Sequence, residues 1–171
     1  MIVVTGATGR TGRRVTELLL AKGENVRVVG RDAKKLAPLV QLGAEPFVGN
    51  VQDVDSMTSG FDGASSVYLV LPEDLSQQDL RAHQERVSDS YAAAVSKAHV
   101  QFVVNLSSIG AQHATNTGPI VGLHNQQQKL DQVAGLNVLH LRAAYFMENT
   151  TPTTLEWFVE RVFAPAYLQT T

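Results

Sequence analysis

The chain has 171 residues, 44% hydrophobic and 18% charged, which is enough apolar material for one well-buried domain. Fourteen basic against sixteen acidic residues give a formal charge of −2 with no block of one sign, which argues against nucleic acid or an anionic membrane as partner. Cysteine is absent, so disulfides, zinc–thiolate sites and thiol catalysis are excluded.

No apolar run approaches the roughly 18 residues that a spanning helix needs. Met1-Ile2-Val3-Val4 enters an apolar strand with no basic leader before it, so a soluble cytoplasmic protein is expected. Ile2 to Thr5 is that strand, and it ends in Gly6-Ala7-Thr8-Gly9-Arg10-Thr11-Gly12. Val15, Leu18 and Leu19 follow at helical spacing, with Gly23 as a stop. Asn25 to Val29 predicts a second strand, and Asp32 caps a helix from Ala33 that Pro38 should shorten or kink. Pro46 to Val48 is a brief third strand, and Asp53 caps the short helix after it. Ser66 to Leu71 is apolar on both faces, as a central parallel strand should be.

The longest predicted helix runs from about Leu80 to Ala98, its stripe formed by Leu80, Val87, Tyr91, Ala94, Val95 and Ala98. Val100 to Leu106 is a fifth strand. After a polar loop comes a helix with the stripe Ile120, Leu123, Gln127, Leu130 and Ala134, then a sixth strand from Asn137 to Leu141. Alternating strands and helices predict an α/β fold with a doubly wound, Rossmann-type parallel sheet of six strands in the order 3-2-1-4-5-6, covered on both faces. Such a sheet takes its ligand at the carboxyl ends of strands one and four. Beyond Arg142, Thr153 and Glu156 have capping-box spacing and Leu155, Phe158, Val159 and Val162 form an apolar face. The expected division is a nucleotide-binding domain over 1–149 and a helical tail over 150–171. The tail would seal the sheet edge, or wall a shortened substrate cleft or a subunit interface.

The chemistry concentrates in the glycine loop. Gly6 permits the tight turn, Gly9 admits a pyrophosphate to the backbone, and Gly12 lets the helix lie close to the strand. Helix-start N–H groups then face phosphate oxygens, and Thr8 and Thr11 add hydroxyl donors. The spacing has one residue more than G-x-G-x-x-G between its first two glycines, and no Lys-Ser or Lys-Thr follows, which excludes a Walker A loop. At the end of the second strand, where an acid would bind ribose hydroxyls, stands Arg31, suited with Arg10 to a 2′-phosphate. NADP(H) is therefore expected over NAD(H).

These pieces resemble the atypical short-chain dehydrogenases and, within them, the NmrA-like family that includes NADPH:quinone oxidoreductases. The motifs are the Gly6 to Gly12 loop, Gly30-Arg31-Asp32, Gly49-Asn50-Val51 with Asp53 and Asp55, Asn105-Leu106-Ser107-Ser108-Ile109-Gly110, and Leu141 to Asn149. The resemblance implies that Asn50 and Val51 flank an adenine, that Val70, Leu71 and Pro72 line the adenosine, and that Ser107 and Ser108 sit near a nicotinamide. No metal site is expected. Where the family's relatives place a Tyr and, four residues on, a Lys, this chain has His124 and Gln128, with Lys129 one position late, about 100° round the helix. His124 and Tyr145 are then the candidates for donating a proton to, or orienting, a quinone-like small-molecule electron acceptor. The alternative is a non-catalytic NADP(H) sensor that signals to a regulatory protein partner. The family continues well beyond the Arg142 to Asn149 segment, so the pocket is expected to stay partly open unless a second subunit, as in a homodimer, covers it.

Overall fold

The computed structural model describes residues 1–72, 78–144 and 146. Six strands, β1 (Ile2–Val4), β2 (Val26–Gly30), β3 (Glu45–Val48), β4 (Ser66–Val70), β5 (Phe102–Ser108) and β6 (Asn137–Ala143), form one parallel sheet. Its order is β3-β2-β1-β4-β5-β6, the expected doubly wound topology. Five helices connect the strands: α1 (Arg10–Ala21), α2 (Ala33–Gln41), α3 (Val54–Phe61), α4 (Leu80–Lys97) and α5 (Ile120–Asp131).

Both faces of the sheet carry a core. On one, Leu36 and Leu39 of α2 pack with Val4, Val26 and Val28, joined by Val15 and Leu19 of α1. On the other, Met57 and Phe61 of α3, Val87, Tyr91, Ala94 and Val95 of α4 and Leu130 of α5 close over Val3, Val67, Leu69 and Val103. The rings of Phe61 and Tyr91 meet at 6.2 Å and 41°, a tilted contact that adds to their burial. β4 is buried on both faces, with Val67, Tyr68 and Leu69 all below a tenth exposed. β6 is not: Leu139 and Leu141 stay about half exposed on the α1 side, where nothing among the described residues covers them. The helical tail predicted over 150–171 lies outside the described residues.

Aspartate side chains start three helices. Asp32 accepts from the Lys34 N–H, Asp53 from Ser56 and Asp79 from Ala82, each at 2.8–2.9 Å. Pro38 does not shorten α2, which continues to Gln41. It removes a single intrahelical donor near the end of a nine-residue helix, a small loss beside the burial of Leu36 and Leu39. β5 begins two residues later than expected because its ladder with β4 starts at Ser66–Phe102; Val100 still belongs to the turn through His99, whose φ is 53°. That shift carries Ser107 and Ser108 into the strand end.

Where β1 and β4 part, Thr5 joins them. Its N–H and its hydroxyl both donate to the Tyr68 carbonyl, at 2.9 and 3.1 Å, and the Val70 N–H donates to its hydroxyl oxygen at 2.9 Å. From this junction the chain leaves β1 toward one face and β4 toward the other, opening a crevice at their carboxyl ends.

Candidate functional site

The first wall of the crevice is the glycine loop. Gly6 has φ +60°, open to glycine at little cost, and a Cβ there would stand 2.9 Å from the Val70 Cβ. At Gly12 a Cβ would meet the Gly6 carbonyl oxygen at 2.3 Å, so α1 rests on the loop itself. Unlike α2, α3 and α4, which aspartates cap, α1 starts on a residue that offers no side-chain acceptor, Gly9. The orphan N–H groups and the positive end of the helix dipole therefore face the crevice. This cradle, kept open by the missing side chains, fits the pyrophosphate of a dinucleotide.

A cleft of about 900 Å³ extends from the loop over the ends of β4, β5 and β6. Of the residues singled out in the sequence, it gathers Gly6, Gly9, Arg10, Thr11, Val70, Leu71, Pro72, Ser107 and Ser108. Thr8 is exposed on the loop and Gly12 is buried beneath it; neither lines the cleft. Arg31, Asn50 and Val51 also lie outside the lining, at the adjoining end of the sheet, where the Gly49 N–H donates to the Gly30 carbonyl and ties the ends of β2 and β3 together. Asn50 uses its side-chain oxygen locally, accepting from the Gln52 N–H at 3.0 Å. Val51 is half-buried against the core.

His124 is half-buried and does not line the cleft. Its Nδ1 lies 2.9 Å from the Ala111 carbonyl, which can only accept, so Nδ1 carries a proton and the neutral ring offers Nε2 as an acceptor. Tyr145 lies outside the described residues. Lys129 points to α4, its Nζ 2.6 Å from both Glu85 and Asp89, and stays far from serving the position of Gln128. The two serines differ: the Ser108 hydroxyl donates to the Ile109 carbonyl at 3.0 Å, whereas Ser107 accepts from Gln127 Nε2 at 2.5 Å.

Sequence reading missed several lining residues. Tyr68 stands in the floor, and burial pushes its phenol above the ordinary tyrosine range, only partly offset by the Thr11 side chain. Val15 and Leu18 of α1, Leu106, Ile120, Leu123, Leu141 and Phe146 supply apolar lining. Leu18, at helical spacing with Val15, reads as a core position, yet it is 47% exposed and borders the cleft. Gln127 is 2% exposed inside an otherwise apolar stripe, and a polar residue at such a position was the available signal.

The profile of the NAD(P)H-binding family matches residues 6–160. Over 150 residues the chain is 29% identical to the (4-alkanoyl-5-oxo-2,5-dihydrofuran-3-yl)methyl phosphate reductase of Streptomyces griseus subsp. griseus, covering 88% of this chain and 49% of that protein. It is 27% identical over 164 residues to quinone oxidoreductase 2 of Escherichia coli K12, covering 91% and 54%. Among solved structures, an NADPH-dependent quinone oxidoreductase from Escherichia coli in complex with NADPH superposes with a TM-score of 0.72 at 22% identity, covering 87% of this chain and 50% of that one. The chain thus spans about half the length of these relatives.

Proposed function

Because the chain belongs to the NAD(P)H-binding family, we propose that it is the cofactor-binding part of an NADP(H)-dependent oxidoreductase of the atypical short-chain dehydrogenase, NmrA-like type, acting on a quinone-like acceptor. The observation that carries this reading is a single cleft that joins the glycine-loop cradle after β1 to the two serines of β5 and to apolar side chains of α5 and β6.

In this reading the N–H groups of the first turn of α1, with the Thr8 and Thr11 hydroxyls, hold the pyrophosphate. Arg31 and Arg10 take a 2′-phosphate, while Asn50 and Val51 flank the adenine. Val70, Leu71 and Pro72 border the adenosine. Ser107 and Ser108 meet the nicotinamide, which when bound supplies the hydride. Leu106, Ile120, Leu123, Leu141 and Phe146 present a surface on which a flat acceptor packs and from which water is excluded. Such an acceptor needs alignment more than a Tyr–Lys pair, consistent with the engagement of Lys129 by Glu85 and Asp89. His124 and Tyr145 are the proposed proton donors, His124 only in its imidazolium form.

The test is steady-state loss of NADPH absorbance against a panel of quinones, with NADH in parallel. Turnover that favours NADPH is the expected result. Tight NADPH binding with no turnover across the panel overturns the enzyme reading.

A further inference from the structure

Ser107, one residue before the end of β5, pairs with Arg142 of β6 in the ladder, and Gln127 of α5 hydrogen-bonds to both. Arg142 Nη2 donates to Gln127 Oε1 at 2.6 Å, and Gln127 Nε2 donates to Ser107 Oγ at 2.5 Å. A guanidinium has donors only, so the amide oxygen must face Arg142 and the amide nitrogen must face Ser107. Ser107 Oγ therefore accepts on that side, and its own proton lies elsewhere. Among the described residues no acceptor takes that proton, and Ser107, 4% exposed, lines the cleft.

We propose that Arg142 and Gln127 are positioning residues: Arg142 locks the orientation of the Gln127 amide, and the amide fixes the Ser107 hydroxyl as a hydrogen-bond donor toward a carbonyl-type oxygen in the cleft. The proposal rests on the reading of the cleft as a hydride-transfer site. Without the guanidinium the amide is free to turn over and present its oxygen to Ser107. The serine proton would then point to the amide, and the cleft would lose its donor. Ser108 cannot replace it, because its hydroxyl already donates to the Ile109 carbonyl. The register of β5 with β6 sets the arrangement, which leaves Arg142 on the surface and Gln127 in the interior.

The experiment compares Gln127→Glu, Ser107→Ala, the double variant, Arg142→Met and Arg142→Lys in NADPH oxidation and NADPH binding. Gln127→Glu keeps a partner for Arg142 but offers Ser107 only an acceptor. It and Ser107→Ala should each lower kcat by about 10- to 100-fold, a larger factor than either change makes in NADPH Kd. The double variant should lose no more than Ser107→Ala alone, and Arg142→Lys should retain more activity than Arg142→Met. A second readout needs no turnover: the Gln127 side-chain amide, assigned by its loss in Gln127→Glu, should resist hydrogen exchange relative to exposed Gln128, and Arg142→Met should abolish that protection. Undiminished kcat in Gln127→Glu, additive losses in the double variant, or an unprotected Gln127 amide overturns the proposal. Parent protein that binds NADPH but reduces no acceptor overturns the function proposed above instead, and the amide spectrum then decides the relay.

Discussion

A Cβ on Gly12 would stand 2.3 Å from the carbonyl oxygen of Gly6, so the first turn of α1 lies directly on the loop that precedes it. Because the obstacle is backbone, a side chain there cannot be accommodated by a rotamer change. Gly12→Ala should lower the unfolding free energy by roughly 1–3 kcal/mol and weaken NADPH at least tenfold, since lifting α1 misdirects its N–H groups. Urea unfolding and a fluorescence titration on the same preparation measure the two effects.

Arg31 follows β2 at the end of the sheet that the Gly49–Gly30 hydrogen bond draws together with Asn50. If it takes the 2′-phosphate, Arg31→Ala should weaken NADPH by about tenfold or more and change NADH by less than about twofold. Equal losses for both coenzymes remove the assignment.

Lys129 offers a prediction about what it does not do. Burial pushes the Glu85 carboxyl up, but hydrogen bonds from Lys129 and Asn125 and the charges of Lys129 and Arg81 outweigh it and hold the group below its usual value of 4.5. Burial likewise pulls the Lys129 ammonium down, and its partners Asp89 and Glu85 outweigh that and raise it above 10.5. The Glu85 contribution is therefore present above pH 4.5 and is lost as pH falls through the lowered carboxyl value; that of Lys129 is present below pH 10.5 and is lost as pH rises through the raised one. Glu85→Gln should flatten the acid limb of stability against pH and cost no more than about 1 kcal/mol at neutrality, as expected for a partly exposed pair. Lys129→Gln should leave NADPH affinity unchanged. A lost cofactor site in Lys129→Gln would mean that this lysine serves the cleft after all.

Asn105 is fully buried at the centre of a polar chain. Gln126 Nε2 donates to its Oδ1 at 2.6 Å, its Nδ2 lies 3.1 Å from His140 Nδ1, and His140 Nε2 lies 2.9 Å from Asp131. Asn105→Leu leaves the buried Gln126 Nε2 donor and the His140 Nδ1 without these partners, and should destabilise the fold by roughly 1–3 kcal/mol in urea unfolding.

Strand order, the aspartate caps of α2 and α3 and the glycine cradle were legible because each depends on short-range rules: apolar runs of strand length, a cap two or three residues before a backbone donor, and glycines at a strand–helix turn. The rest depended on tertiary neighbours. Leu139 and Leu141 carry a strand pattern, but which face is covered depends on segments remote in sequence. Gln127 is one of three consecutive glutamines of similar local propensity, and only the approach of Ser107 and Arg142 separates it from exposed Gln128. Tyr68 reads as a strand aromatic until the loop around Thr11 folds over it.

Calorimetric titration of the folded chain with NADPH and with NADH bears most directly on the account. Saturable binding of one coenzyme per chain, tighter for NADPH and weakened at least tenfold by Gly12→Ala, is the predicted result. Native circular dichroism with no heat from either coenzyme would contradict it.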